Sequence, residues 1–153
     1  MITYRKATVD DIETLANLRS YFLMEYEGFD SEELRVKVEE AVTSYLRKAM
    51  PLNEFASWVA VDGEKIVGTS GLSFSVMPPI STSLEGKAAY VMNMYTLPEY
   101  RRQGLAQKLF ELIVNEAKER GYNRVTLNAS DMGKPLYKKF GFIDVKGDME
   151  YYF

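Results

Sequence analysis

The segment Tyr100-Arg101-Arg102-Gln103-Gly104-Leu105-Ala106 joins two guanidinium groups, a glycine and the start of a long helical pattern. It follows an apolar run that closes on Thr96-Leu97-Pro98-Glu99. Strand, basic turn, glycine and helix together suit an anion. The first N–H groups of a helix have no intrahelical partner and carry partial positive charge. Glycine at that point lets a ligand approach the main chain closely, and arginine adds a fork of donors. The string is R-x-x-G-x-A, fixed by Arg101, Gly104 and Ala106. The chain contains neither a Walker loop nor a G-x-G-x-x-G string.

A second constellation follows at residues 135 to 142, Pro-Leu-Tyr-Lys-Lys-Phe-Gly-Phe, after a strand-like run Arg124-Val-Thr-Leu-Asn128. The two motifs, in this order and with this run between them, resemble the GNAT family of N-acetyltransferases. In that family the first motif holds the pyrophosphate of acetyl-CoA, and the tyrosine of L-Y-x-x-x-G-F lies near the thioester sulfur. The strict motifs cover residues 94 to 142, and the order of elements fits the whole chain.

The resemblance implies a set of site residues. Main-chain N–H groups from Arg102 through Gln103, Gly104 and Leu105 to Ala106 would bind the pyrophosphate. Arg101 or Arg102 either reaches the ribose phosphate or solvates the turn. Main chain at Met94, Tyr95 and Thr96 would face the oxyanion, where the family's strand parts from its neighbour. Asn128 matches a position that contacts the pantetheine arm; a turn-forming asparagine is the alternative. Ser130 and Lys134 are weaker candidates for the same channel. Tyr137 is the candidate acid for the leaving thiolate, since a phenol with pKa near about 10 has comparable basicity. As a plain helix residue it would simply pack. No base stands out: the strand over 88–96 carries no Asp or Glu, which leaves Glu25, Glu27, Glu85 or water.

Composition narrows the chemistry further. The chain has 153 residues, 46% hydrophobic and 27% charged, with a net charge of −3. That predicts one domain, spanning 1–153, with a substantial core. There is no cysteine and no histidine. Disulfides, His or Cys zinc sites and Ser-His or Cys-His nucleophiles are therefore excluded, and acyl transfer would be direct or would use another nucleophile. No apolar run reaches the roughly 20 residues of a membrane span, and the N-terminus lacks a signal-like apolar stretch. A cytoplasmic protein without metal, membrane or nucleic-acid partner is the expectation.

Charge is unevenly distributed. From Asp10 to Glu40 there are ten acidic and three basic residues; from Arg101 to Lys139 there are nine basic and four acidic. The basic half suits a polyanionic cofactor, acetyl-CoA. The acidic half suits solvated helix faces or a cationic acceptor. The expectation is acetyl transfer to a small cationic amine or drug-like amine. A peptide acceptor or a non-catalytic acyl-CoA-binding module is the alternative. A homodimer is left open by the aromatic end Tyr151-Tyr152-Phe153.

The elements that must position these residues are legible in outline. Ile2–Lys6 alternates as a strand. Thr8-Val-Asp-Asp11 starts a helix in which Ile12, Leu15, Ala16, Arg19, Phe22, Leu23 and Tyr26 share helical spacing. Asp30-Ser-Glu-Glu33 opens a second helix that ends before Pro51. Strands over 55–61 and 65–76 meet at Asp62-Gly63. The proline-containing loop 77–86 is either a specificity loop or a connector. Strands over 88–96 and 122–129 flank a helix from Leu105 to Ala117. A short helix over 134–140 and one or two closing strands over 142–153 complete the chain. The expected fold is α/β: a mixed, mostly antiparallel sheet with a central parallel pair, flanked by about four helices.

Overall fold

The computed structural model describes residues 1–153. A twisted sheet runs through the molecule in the order β1-β3-β4-β5-β6, and the short β2 pairs with β4. The strands are β1 (Ile2–Lys6), β2 (Phe55–Ala56), β3 (Trp58–Asp62), β4 (Lys65–Val76), β5 (Lys87–Thr96) and β6 (Arg124–Leu127). All pairings are antiparallel except β5 with β6. The helices are α1 (Ile12–Glu27), α2 (Glu32–Ala49), α3 (Leu105–Glu119) and α4 (Lys134–Phe140). The expected mixed sheet with one parallel pair and four helices is therefore what the chain adopts.

Alternation along the strands sorts side chains to two faces. Val59, Val61 and Ile66 pack with Ile12, Leu15 and Leu18 of α1 and Leu46 of α2. Ala60 and Val67 turn the other way, onto Leu105 and Leu109 of α3. Leu72, Phe74, Ala89 and Val91 meet Phe110, Ile113 and Tyr137. Helices α1 and α2 thus cover one face, and α3 and α4 the other. The centre of β4, Ile66 to Leu72, is buried throughout, as expected of a strand covered on both sides.

Local chemistry fixes the element ends. Ser31 caps α2 by accepting from the Leu34 N–H at 3.2 Å, a residue later than a cap at Asp30 would stand. The Thr8 N–H donates to Asp11 Oδ2 at 2.8 Å, in a 3-10 turn that leads into α1. Asp62 pairs with Lys65 across a two-residue turn, the hairpin that Asp62-Gly63 predicts. Glu116 on α3 is a buried hub: it binds Lys6 of β1, Trp58 Nε1 at 3.3 Å and Arg120 Nη2 at 2.8 Å.

One expectation from the sequence differs from the structure. No strand forms after Phe142. Phe142 packs on Phe110 at 5.4 Å between ring centroids, but Ile143, Val145, Met149 and Tyr151 to Phe153 are exposed. Alternation supplies a strand's two faces but not its partner, and Lys146-Gly147-Asp148 interrupts the alternation. The outer edge of β6 stays unpaired. The loop 77–86, for which the sequence left a specificity loop and a connector both open, stands apart from the cleft. It closes on itself through Met77 N–H to Gly86 O at 2.7 Å and an Ile80–Ser83 bridge. Asn123 holds it through Thr82 O and Ser83 Oγ, both at 3.2 Å. It leaves the start of β5, the end away from both motifs, and lines neither cavity described below. No helix is long and apolar enough to cross a membrane.

Candidate active site: a cleft between two parallel strands

β5 and β6 pair from Ala88–Arg124 to Val91–Leu127 and no further. β5 continues to Thr96, while the chain leaves β6 at Asn128. The two strands therefore part, and a cleft opens where both sequence motifs end.

A β-bulge shapes the β5 wall. Thr69 pairs with Tyr95 and Gly71 with Met92, so Asn93 and Met94 together face Ser70. Asn93 takes φ +57°, a left-handed conformation that asparagine tolerates better than most residues. Its carbonyl accepts from Thr69 Oγ1 at 2.8 Å, and its side-chain oxygen accepts from Arg19 Nη1. Gly71 is required opposite: a Cβ there would lie 2.8 Å from Phe55 Cζ and 3.0 Å from Met92 O. Beyond the bulge, the Leu97 N–H donates back to Val67 at 2.9 Å. Alternation then turns the main chain of Thr96 and Met94 into the cleft. The Thr96 carbonyl confirms this sense by accepting from Arg101 Nε at 2.9 Å.

Two cavities meet in the cleft. The larger, about 880 Å³, lies against Met94, Tyr95, Thr96, Arg101, Arg102, Gly104, Leu105 and Ala106 on one side and the start of α4 on the other. The smaller, about 180 Å³, is walled by α1, the middle of β5 and the end of β6, with Arg19, Tyr90, Asn93 and Asn128 in its lining. Phe22, Tyr26, Met94, Ser130 and Tyr137 line both. Phe22 and Tyr26 stack at 5.6 Å, and Phe22 meets the edge of Tyr95 at 6.1 Å. These aromatics roof the junction from α1.

The basic turn supplies unused donors to the larger cavity. The N–H groups of Arg102, Gln103, Gly104, Leu105 and Ala106 donate to no protein acceptor. Gly104 stands at φ +82° as the N-cap of α3, with nothing within 4 Å of where a Cβ would be. Arg102 is also left-handed, at φ +61°, and is exposed without an ion-pair partner. Gln103 Nε2 binds Glu99 O at 3.3 Å and lies outside the cavity lining. Arg101 is engaged elsewhere. Besides Thr96 O, it forks onto Glu25 at 3.0 and 3.1 Å, which holds its guanidinium above the ordinary value. Its side chain ties the end of β5 to α1.

Tyr137 stands at the junction. It is 9% exposed, packed on Phe110 at 4.9 Å, with no hydrogen bond to its hydroxyl. Burial pushes its phenol above the ordinary value. Gly133 makes room for it: a Cβ there would lie 3.0 Å from the hydroxyl. Ser130 Oγ accepts from the Gly133 N–H at 3.1 Å and fixes that turn. Asn128 Oδ1 lies 3.5 Å from Tyr26 Oη in the smaller cavity. Lys134 pairs with Asp144 at 3.2 Å and lines neither cavity.

The carboxylates considered as bases do not converge on this point. Glu25 is held by Arg101, and Glu85 pairs with Lys87 at 3.3 Å on the remote loop. Glu27 is exposed outside both cavities, and the smaller cavity has no Asp or Glu in its lining. Sequence reasoning missed Arg19, the Asn93 bulge and the Phe22–Tyr26 roof. The one visible signal was an arginine standing on the apolar stripe of the first helix.

A five-element cleft of this kind, with free amides at one mouth, belongs to an acyl-CoA-dependent transferase fold. A model of the acetyltransferase (GNAT) domain matches residues 25–152, and the chain belongs to that family. It is similar to a predicted acetyltransferase from Clostridium acetobutylicum crystallised with acetyl-CoA: 34% identity over 99% of this chain and 96% of that one, TM-score 0.91. A GCN5-related N-acetyltransferase from Ralstonia eutropha JMP134 shares the fold, with 24% identity over 99% of both chains and TM-score 0.89. Among curated relatives, human N-acetyltransferase 8B is 30% identical over 112 residues, 71% of this chain and 46% of that protein. An uncharacterised N-acetyltransferase of Bacillus subtilis (strain 168), YsnE, is 28% identical over 94 residues, 58% of this chain and 56% of the relative. The chain spans about half the length of these curated relatives.

Proposed function

We propose that the chain is a single-domain N-acetyltransferase that moves an acetyl group from acetyl-CoA directly to a small-molecule amine. The observation that carries this reading is the run of five free N–H groups, Arg102 to Ala106, at the mouth of a cavity that reaches Tyr137. A pyrophosphate fits such donors by charge and by geometry, and the larger cavity falls within the usual range for a cofactor site, about 300–1,000 Å³. The basic half of the chain agrees with a polyanion.

When bound, acetyl-CoA supplies the acetyl group as a thioester, and amine attack at its carbonyl carbon expels the CoA thiolate. The residues of this chain would divide the work as follows. The N–H groups of Arg102 to Ala106 hold the pyrophosphate, with Arg102 free to reach a further phosphate. Main chain at Met94 and Thr96 orients the thioester and meets the developing oxyanion, while Tyr95 pairs with Thr69 of β4. Asn128, at the end of β6 in the lining of the smaller cavity, is the proposed contact for the tip of the pantetheine arm. Tyr137 donates its proton to the sulfur; its raised pKa keeps it protonated at neutral pH. Water in the cleft takes the proton of the amine, since no unpaired carboxylate lines the smaller cavity. The size of that cavity, about 180 Å³, favours a small acceptor over a folded protein or long peptide.

The test is thiol release from acetyl-CoA across pools of amino acids, polyamines, aminoglycosides and short peptides. The chain has no cysteine, so a thiol reagent reads CoA alone. Amine-dependent release supports the reading. Acetyl-CoA binding without release from any pool would replace it with an acyl-CoA-binding module. Release with peptides only would overturn the small-molecule acceptor.

A second copy of the chain is the proposed cover for the open edge of β6. The exposed alternation Ile143, Val145 and, after Gly147, Met149, Tyr151, Phe153 supports strand pairing between copies. Light scattering at micromolar concentration should give the mass of a dimer, and a monomer mass would remove this part of the reading.

A further inference from the structure

The charge that the smaller cavity presents is positive. Arg19 leaves the core-facing stripe of α1 and reaches across to β5, where Nη1 donates to Asn93 Oδ1. That is the single hydrogen bond of a group with five N–H donors. Arg19 forms no ion pair, although it is half-buried. Tyr90, Glu27 and Tyr45 are the charged or titratable groups that act on it from the surrounding elements, and burial outweighs them, lowering its pKa.

A guanidinium taken partly out of water without an ion-pair partner is costly. The buried arginine of the chain shows the usual remedy: Arg35 is clasped by Glu32 and Glu39 and stacks on Tyr21 at 4.5 Å. Arg19 has only a neutral amide. An amide acceptor alone would be served as well by a glutamine, without a charge to desolvate. Arg19 lines a cavity that Tyr137 also lines.

The acids of the first two helices do not offset this charge. Asp11, Glu13, Glu25, Glu32, Glu33 and Glu39 are all ion-paired within the chain. Asp10, Glu27, Asp30 and Glu40 are exposed and outside the cavity. Six of the ten acids are thus taken up by pairs within α2 or between α1 or its lead-in turn and neighbouring elements, and the other four face solvent.

We propose that Arg19 is the anchor for a carboxylate on the acceptor, so that the substrates are amines that carry one, of the amino-acid class. This rests on the acetyl-transfer reading and names its acceptor. Guanidinium meets carboxylate through two parallel hydrogen bonds. That places the acceptor's other end, the amine, toward the junction where Met94 and Tyr137 stand. Asn93 orients the guanidinium, and its left-handed backbone is what brings its side chain to Arg19.

The experiment compares matched acceptors: a set of amino acids, their carboxamides, and the corresponding aminoalkylphosphonates. With the wild-type protein, kcat/KM for the amino acid should exceed that for its amide by roughly 10- to 100-fold, the span for a charged bidentate contact. Arg19→Gln should bring that ratio towards one, mainly through KM for the amino acid. Arg19→Lys should recover part of it. An unchanged ratio in Arg19→Gln, or equal use of amide and acid by the wild type, overturns the anchor. Preference for the phosphonate overturns the carboxylate. A second measurement does not depend on turnover: calorimetric titration of N-acetylated amino acids into the CoA complex. Binding by the wild type and its loss in Arg19→Gln support the anchor even if no amine is acetylated, whereas equal binding by both proteins refutes it. Absence of release with every amine would therefore count against acetyl transfer and not against Arg19.

Discussion

The two chambers of the cleft are built by different means. The larger is made of main chain: five consecutive N–H groups at the start of α3, a glycine, and the backbone of β5 past its bulge. The smaller is made of side chains from distant parts of the chain. Arg19 and Asn93 are 74 residues apart, and Tyr26 and Asn128 are 102 apart. Backbone donors can be specified only by local conformation, so their site is written as a contiguous motif. Side chains that meet across a sheet carry no such local constraint. The first chamber suits a ligand common to a family, and the second suits whatever this chain acetylates.

The largest expected effect separates the chambers outright. Gly104→Glu should abolish measurable acetyl-CoA binding by calorimetry. The cause is backbone conformation and charge, not a steric clash. A Cβ would meet nothing within 4 Å, so the damage comes from φ +82°, which disfavours any side chain, and from a carboxylate beside phosphate. Binding of an N-acetylated amino acid to the smaller chamber should survive. Wild-type affinity for acetyl-CoA in this variant would sink the pyrophosphate assignment.

Tyr137 belongs to both chambers, and its removal should be felt in turnover before binding. Tyr137→Phe is expected to lower kcat by about 10²–10⁴-fold, the span for a general acid, with acetyl-CoA affinity little changed. The pH profile sharpens this. The acid must be protonated, and burial raises its pKa. The alkaline limb of kcat should therefore lie above about pH 10, the ordinary phenol value. In Tyr137→Phe that limb should disappear. A variant with an unaltered rate in a chemistry-limited assay would return Tyr137 to a packing role beside Phe110.

How much of this could be read from the sequence follows the same division. The basic turn, the αL glycine and the short helix Lys134–Phe140 were legible because each is set by neighbours in sequence. The strands followed from alternation, one pairing from a hairpin signal and the parallel pair from its crossover helix, whereas the places of β1 and of β4 beside β5 came only with the structure. Arg19 was visible only as a charge in the wrong stripe, and nothing local said what it faced. The charge count over 10–40 left solvated helix faces and a cationic partner both open, because composition cannot show that Arg35 or Arg101 stands beside those acids. The tail over 142–153 had the pattern of strands, but pairing is a tertiary property and no partner within the chain meets it.

The smallest effect should come from the bulge that separates the chambers. Asn93 does two things: it tolerates φ +57°, and it receives a hydrogen bond from Arg19. Asn93→Gly keeps the first and loses the second. Asn93→Ala loses both, and the left-handed backbone costs a residue with a Cβ roughly 1–2 kcal/mol. Thermal unfolding should therefore rank the wild type first, Asn93→Gly next and Asn93→Ala last. In the matched-acceptor assay the order should differ. Both variants free the guanidinium from its neutral partner, so both should weaken discrimination between amino acid and amide by a similar factor of a few. If only Asn93→Ala affected discrimination, the bulge itself would set acceptor choice and Asn93 would not be positioning Arg19. If neither did, the guanidinium would be held by the cavity walls alone, and the two chambers would be independent across β5.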